Sequence, residues 1–300
     1  MPERELEEIR LLEEKKELTA NEFFNLARLY RVFEHNVFNP EIEVLEETPV
    51  LWVESNNTKY ELCTPGAMGI IVGKAKSRKT VICQAITSCI IGPKRVLGFT
   101  SSLQDKNVLY FDTEQKKGTF WNSQRKVLHD AGINYRTPNY KAILLREYGY
   151  KERLEIIKDS IMLQELIGRK PDVIFIDGLL DLVKDANDNV ETGQLVEALM
   201  HIAAKGITLI MVIHLSNVGT IYGHLGSIMA RKVDFAIEVE LKIEEGSSNK
   251  NTSPYSTVSC KLTRDTVPFD DFEIYQDKLK KVTRPDLIDL PVKSQVIYTI

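Results

Sequence analysis

No apolar run in the sequence approaches the roughly 18 residues that a bilayer-spanning helix needs, and the opening "MPERELEEIR" lacks the apolar segment of an export signal. Both absences lead to the expectation of a cytoplasmic chain with no membrane partner. Cysteine is scarce. Cys63, Cys83, Cys89 and Cys260 form no C-x-x-C pair and have no histidines at ligand spacing, so reduced, mostly buried thiols are expected and a zinc site is not. Excess charge is nearly absent too: a net −4 over 300 residues supplies no global attraction to nucleic acid or anionic lipid, and any such contact has to come from a local patch.

What is present is a globular composition. With 43% apolar residues the chain can build a sizeable core, in one large domain or two small ones. The first 20 residues carry seven glutamates against four basic residues and read as a solvated helix or arm. In "TANEFFNLARLYRVF", Thr19 and Glu22 have capping-box spacing, and Phe23, Leu26, Ala27, Tyr30 and Phe33 fall on one helical face. Residues 1–47 are therefore read as an N-terminal helical segment, 48–275 as the core domain and 276–300 as a basic, proline-containing C-terminal tail.

Within the core, four short apolar runs, "GIIVG", "VLYFD", "VIFID" and "LIMVIH", alternate with helical patterns. The fold class expected is α/β: a mostly parallel sheet covered by helices. The helical stripes are Ile82, Ala85, Ile86, Cys89 and Ile90; Leu154, Ile157 and Ile161; and Leu195, Leu199 and Ile202. After residue 233, "DFAIEVELKI" and "YSTVSCKLTR" alternate like strands around the polar "EEGSSNKNTSP" and predict a C-terminal antiparallel hairpin. Each of the four runs closes in glycine, acid or histidine, and ligands of open α/β sheets bind at those ends.

The run "GIIVGKAKSRKT" matches the phosphate-loop pattern G-x-x-x-x-G-K-T at every fixed position except one, where Arg78 stands for glycine. A residue at the first turn of a right-handed helix does not strictly need positive φ, so the pattern does not bar an arginine there. Gly73, Lys74, Ala75, Lys76, Ser77, Arg78, Lys79 and Thr80 are the candidate phosphate-binding residues: backbone N–H groups and a helix amino terminus converge on anionic oxygens, with a lysine and a hydroxyl completing the site. A basic surface turn is the plain alternative for the same residues.

The other strand ends supply the rest of a triphosphate site. Asp177 closes "DVIFID" and, beside the Thr80 hydroxyl, is the candidate magnesium-organising acid. Glu114, just past "VLYFD", is the candidate for pointing water at the terminal phosphate; Asp112 is its rival, with a shorter side chain suited to binding backbone or magnesium-bound water. His214 closes "ITLIMVIH" and reads as a phosphate sensor or as a structural histidine.

With "GKAKSRKT", "VLYFDTEQ", "VIFIDGLLDLV", "IHLSN" and "GHLGSIMARKVDFAIEV" in this order, residues 48–275 resemble the RecA-type ATPases, in particular the plasmid RepA-like hexameric helicase branch and related ATPases of bacterial mobile elements. The resemblance implies an ATP- and magnesium-dependent ATPase acting on DNA. In it Lys79 and Thr80 serve phosphate and magnesium, Glu114 is catalytic, Asp177 is the Walker B acid and His214 is the sensor. It also implies DNA contacts after the third and fourth runs, at 179–193 and 215–228. The first of these is acidic; the second offers Tyr222 and His224 for stacking, with Arg231 and Lys232 nearby for phosphate. Lys261 and Arg264, in "CKLTRD", are trans-acting candidates for a neighbour's site, which implies a homo-oligomeric ring or filament; ordinary strand-surface charge explains them equally. A nucleotide-dependent scaffold without turnover, and a small-molecule kinase, are the alternative functions.

Overall fold

The computed structural model describes residues 47–102, 106–133, 137–215, 223–242, 255–276, 281–284 and 298–299, and the helical positions Asn25, Arg28, Leu29, Val32 and Asn36. The capping pair Thr19 and Glu22 and the apolar face Phe23, Leu26, Ala27, Tyr30 and Phe33 lie outside the described residues. The chain divides into two compact units, Met1–Glu46 and Glu47–Ile300. The architecture that follows is that of the second.

Among the described residues the elements follow in the order β1 (Leu51–Ser55), β2 (Thr58–Cys63), β3 (Met68–Gly73), α1 (Lys79–Ile91), β4 (Phe99–Ser101), β5 (Val108–Asp112), α2 (Lys117–Ala131), β6 (Tyr140–Leu144), α3 (Tyr150–Leu166), β7 (Val173–Asp177), a 3-10 turn (Leu179–Leu182), α4 (Asn189–Ala203), β8 (Thr208–His214), α5 (Gly223–Lys232), β9 (Phe235–Lys242), β10 (Tyr255–Thr263), β11 (Phe272–Gln276), β12 (Lys281–Thr283) and β13 (Tyr298–Thr299). Among the described residues the main sheet has ten strands in the order β13-β12-β11-β10-β9-β3-β8-β7-β5-β6, and β2-β1-β4 form a small second sheet. From β9 through β6 the pairings are parallel. From β9 outward through β13 they are antiparallel. The expected mostly parallel sheet and the C-terminal antiparallel pairing are both present, and residues 277–300 contribute two short strands to the same sheet.

The period-2 geometry of strands explains why these runs are apolar throughout. In β3, Ile71 packs with α1 and α2 on one face, while Ile70 and Val72 pack with α3, α4 and α5 on the other. A strand covered on both faces has no position left for a polar side chain until its end. The predicted stripes of α1 and α4 are buried, as are Ile157 and Ile161 of α3. Among the described residues no helix is long and apolar enough to cross a membrane, and all four cysteines are free thiols.

The topology sets where a ligand goes. From β3 the chain leaves along α1 on one face and comes back to the sheet at β5, past β8 and β7; from the adjacent β8 it leaves along α5 on the other face to β9. Connections from neighbouring strands that depart to opposite faces open a crevice at the strands' carboxyl ends. Gly73 and His214 lie opposite each other in that register, as do Asp112 and Asp177.

Two contacts fix β9 and the strands beyond it. Gly69 pairs with Phe235, whose ring occupies the space a side chain at 69 would take: a Cβ there would lie 1.9 Å from the ring. Farther out, the buried Arg284 stacks on Phe272, 3.5 Å from the ring centroid, and donates to the Leu97 carbonyl oxygen at 3.1 Å beside the small sheet. Gly69→Ala is expected to destabilise the chain by about 3 kcal/mol through overpacking, read as a lower urea midpoint at unchanged slope; Phe235→Leu in the same chain should recover part of the loss.

Candidate functional site

The loop 73–78 is tight by construction. A Cβ on Gly73 would come within 2.4 Å of the Val239 carbonyl oxygen and 2.5 Å of the Ser77 hydroxyl, so only glycine fits the start of the loop. Lys76 (φ 64°) and Arg78 (φ 74°) both take the left-handed conformation. This corrects the sequence expectation for Arg78. The residue preceding α1 is its N-cap, outside the right-handed helix, and it adopts the dihedral for which the common pattern carries glycine. Left-handed residues alternating along a turn direct N–H groups into one concavity, and α1 begins there with no acid in its first turn. Ser77 Oγ is buried beside Gly73 with no hydrogen-bond partner among the described residues. A loop start that only glycine fits, a helix amino terminus and an unsatisfied loop hydroxyl fit a phosphate group.

Lys79, the first residue of α1, is buried, and its Nζ donates to the carbonyl oxygens of Gly73 (2.8 Å) and Lys74 (2.9 Å). It also lies 3.1 Å from His214 Nδ1, and His214 Nε2 lies 2.8 Å from Glu114 Oε1. An ammonium only donates, so Nδ1 accepts and the ring proton on Nε2 is donated to Glu114. The hydrogen bond from His214 holds the Glu114 carboxyl below its ordinary pKa, with burial acting against it. Burial lowers the Lys79 pKa, and Glu114 and Asp177 oppose that shift.

Asp112 and Asp177 end adjacent strands and take different environments. Asp112 Oδ1 accepts the backbone N–H groups of Glu114 (3.0 Å) and Gln115 (2.7 Å), so this acid closes the turn that carries Glu114. Asp177 Oδ2 accepts from Tyr110 OH at 2.9 Å and from Thr80 Oγ1 at 3.4 Å. Burial, reinforced by the charge of Asp112, pushes Asp177 up to about 7. A carboxylate and a hydroxyl facing each other are hard oxygen donors, the type magnesium takes.

The remaining predicted residues are not gathered here. Tyr222 lies outside the described residues. His224 is in the first turn of α5 and Arg231 and Lys232 are in its last, about 10 Å apart along the axis. Arg231 and Lys232 lie beside Arg264, whose Nη2 donates to the carbonyl oxygens of Arg231 (3.2 Å) and Val233 (3.4 Å). Arg264 N donates to Asp234 O, and Asp234 N to Met68 O, so Arg264 sits at the rim of the sheet opposite Gly73. Lys261 pairs with Glu238 at 2.8 Å. Acids within 179–193 hold neighbouring turns. Asp188 caps α4 through the N–H groups of Val190 and Glu191, Glu191 accepts from Lys184 N, and Asp181 accepts from Thr113 Oγ1.

Three residues were missed from sequence. Tyr110 was visible as a phenol inside a buried strand, a group that needs a partner there. Thr113 fixes the turn after β5 against the end of β7, donating to Asp181 Oδ2 at 2.7 Å. Ser256 meets Arg78 across 178 positions of sequence, a pairing with no local signal.

A family model described as an AAA domain matches residues 54–220. Among solved structures, a KaiC-like protein of the hyperthermophilic archaeon Pyrococcus horikoshii OT3 is similar with a TM-score of 0.50 and 12% identity, over 74% of this chain and 90% of that one. At that identity the likeness is one of fold. No curated protein matches the sequence.

Since Asp177 holds its proton to a higher pH folded than unfolded, stability falls as pH rises from about 4 to about 7, at up to ~1.4 kcal/mol per unit, and levels off above. Asp177→Asn keeps an acceptor for Tyr110 and should remove that slope. In nucleotide-free protein with chelator, its stability advantage over wild type is expected to be absent near pH 4 and greatest above pH 7, measured by thermal unfolding across the range.

Proposed function

The chain belongs to the AAA domain family and carries a RecA-like P-loop ATPase core, and from that premise we propose that it binds ATP with magnesium at the loop 73–80, hydrolyses it, and uses the cycle to move along or remodel DNA. The observation that carries the hydrolytic half is the unbroken contact from Lys79 through His214 to Glu114. It joins the buried lysine of the loop to the acid beside the crevice, which is the connection needed if phosphate binding is to govern water activation.

Each step falls to a named group. To meet a phosphate oxygen, Lys79 gives up the Gly73 and Lys74 carbonyls and His214 Nδ1, and the amides of 74–80 hold the remaining oxygens. His214 keeps its Nε2 proton on Glu114, so the carboxylate stays ionised and aimed. Glu114 then accepts a proton from the attacking water. Magnesium, when bound, supplies positive charge against the phosphates, and Asp177 with the Thr80 hydroxyl are the residues to hold it. Asp112 holds the turn under Glu114, a backbone role that favours Glu114 over it as the catalytic acid.

The finer reading is a RepA-like helicase of a mobile element, working as a homo-oligomer. It is supported by the order of the sequence motifs. In this reading Lys261 leaves Glu238 to reach a neighbour's phosphates, and Arg264 serves from the opposite rim. Tyr222 and His224 meet bases, with Arg231 and Lys232 contacting phosphate. A second reading, a nucleotide-dependent scaffold without turnover, is favoured by the engagement of Lys79 with the loop's own carbonyl oxygens, which bound nucleotide has to displace.

Phosphate release with and without single-stranded DNA separates these readings. DNA-stimulated turnover that rises with protein concentration supports the motor, binding without turnover supports the scaffold, and a phosphorylated small-molecule product supports a kinase. Glu114→Gln is expected to lower turnover about 10²- to 10⁴-fold with nucleotide affinity close to wild type, whereas Lys79→Ala should abolish binding, both read by calorimetry alongside phosphate release.

A further inference from the structure

We propose that Arg78, standing where the phosphate-loop pattern has glycine, is a positioning residue: it braces the loop against β10 through Ser256 and acts on nucleotide binding by holding the loop's shape. The proposal rests on the loop being the nucleotide site, and adds to that reading the means by which a loop without its second glycine keeps its form.

Three observations meet at this residue. The first is backbone cost. A left-handed residue with a side chain costs roughly 1–2 kcal/mol, and the loop contains two, Lys76 and Arg78. A turn of this kind without compensation relaxes toward commoner dihedrals, so the native contacts around it have to over-determine it.

The second is the contact itself. Arg78 Nη1 donates to Ser256 Oγ at 2.6 Å. Ser256 is fully buried, and in register it lies between Leu241 of β9 and Ile274 of β11. An acceptor held in the middle of three paired strands does not shift easily, and a charged donor makes this bond one of the stronger kind. Burial also lowers the pKa of the half-buried guanidinium, the mark of a side chain taken partly out of solvent.

The third is the other end of the loop. Gly73 packs so closely on β9 that a Cβ would strike the Val239 carbonyl oxygen. The loop is thus held at its start by β9 and at its close by β10, both strands of the antiparallel side. In the common pattern glycine makes the left-handed turn cheap; here the turn is made costly and then secured by a side chain. Arg78 therefore serves phosphate through the amides it arranges.

The test uses the full-length chain and the variants Arg78→Ala, Ser256→Ala, their double and Ser256→Thr. In nucleotide-free protein, hydrogen exchange of the amides at 74–78 is expected to speed up about tenfold in either alanine variant, no further in the double, and to return to the wild-type rate with threonine, which keeps the hydroxyl. ATP affinity should fall equally in both single variants and the double, while circular dichroism and thermal unfolding show the fold retained. Wild-type exchange in Ser256→Ala overturns the brace. So does loss of affinity in Arg78→Ala alone, the result expected of a direct phosphate ligand. Because exchange is read without nucleotide, it decides the brace even if calorimetry finds no ATP binding to the wild type, an outcome that removes the nucleotide reading separately.

Discussion

A buried ammonium that must always have acceptors organises the carboxyl edge of this sheet. Lys79 is held out of water, and with no nucleotide it is satisfied by two loop carbonyls and a histidine. That requirement shapes the loop, fixes the tautomer of His214 and aims Glu114. The strands put these groups within reach because Gly73 and His214 are register partners. An anion that met Lys79 would have to exchange this acceptor set for its own oxygens.

The two acids beside this cation show how one edge produces different chemistry from the same residue type. Asp112 is surrounded by N–H donors from the turn it closes, and its charge is spent on geometry. Asp177 has a phenol and a hydroxyl and faces Asp112, so ionising it is expensive until a cation shares the site. A carboxylate kept costly in this way has a strong reason to take a metal.

Much of the sheet and of the site was legible in the sequence because a strand buried on both faces must be apolar until it ends. The first polar residue then marks the rim, and Asp112, Asp177 and His214 all stood out for that reason. The edge strand β6 and the small sheet were not read because half-exposed strands carry a weaker pattern, as in Tyr140–Leu144, where only Tyr140 is buried. The conformation of Arg78 was misjudged by one position: as N-cap it lies outside the helix whose dihedrals were assumed for it. Arg231 and Lys232 follow His224 closely in sequence, and a ten-residue helix sets how far along its axis they stand from it. Ser256 could not have been found at all, since its partner is set by the pairing of β9, β10 and β11.

The buried Arg284 has a consequence for the order in which the chain can mature. Its partner carbonyl belongs to Leu97, 187 positions earlier, and its ring partner Phe272 sits at the edge of the late strands. On a ribosome, the small sheet and the helices that follow it emerge long before this cation does. The turn at Leu97 and Gly98 acquires this contact only after Arg284 has been synthesised, so its closure follows the making of the strands that lie between them in sequence.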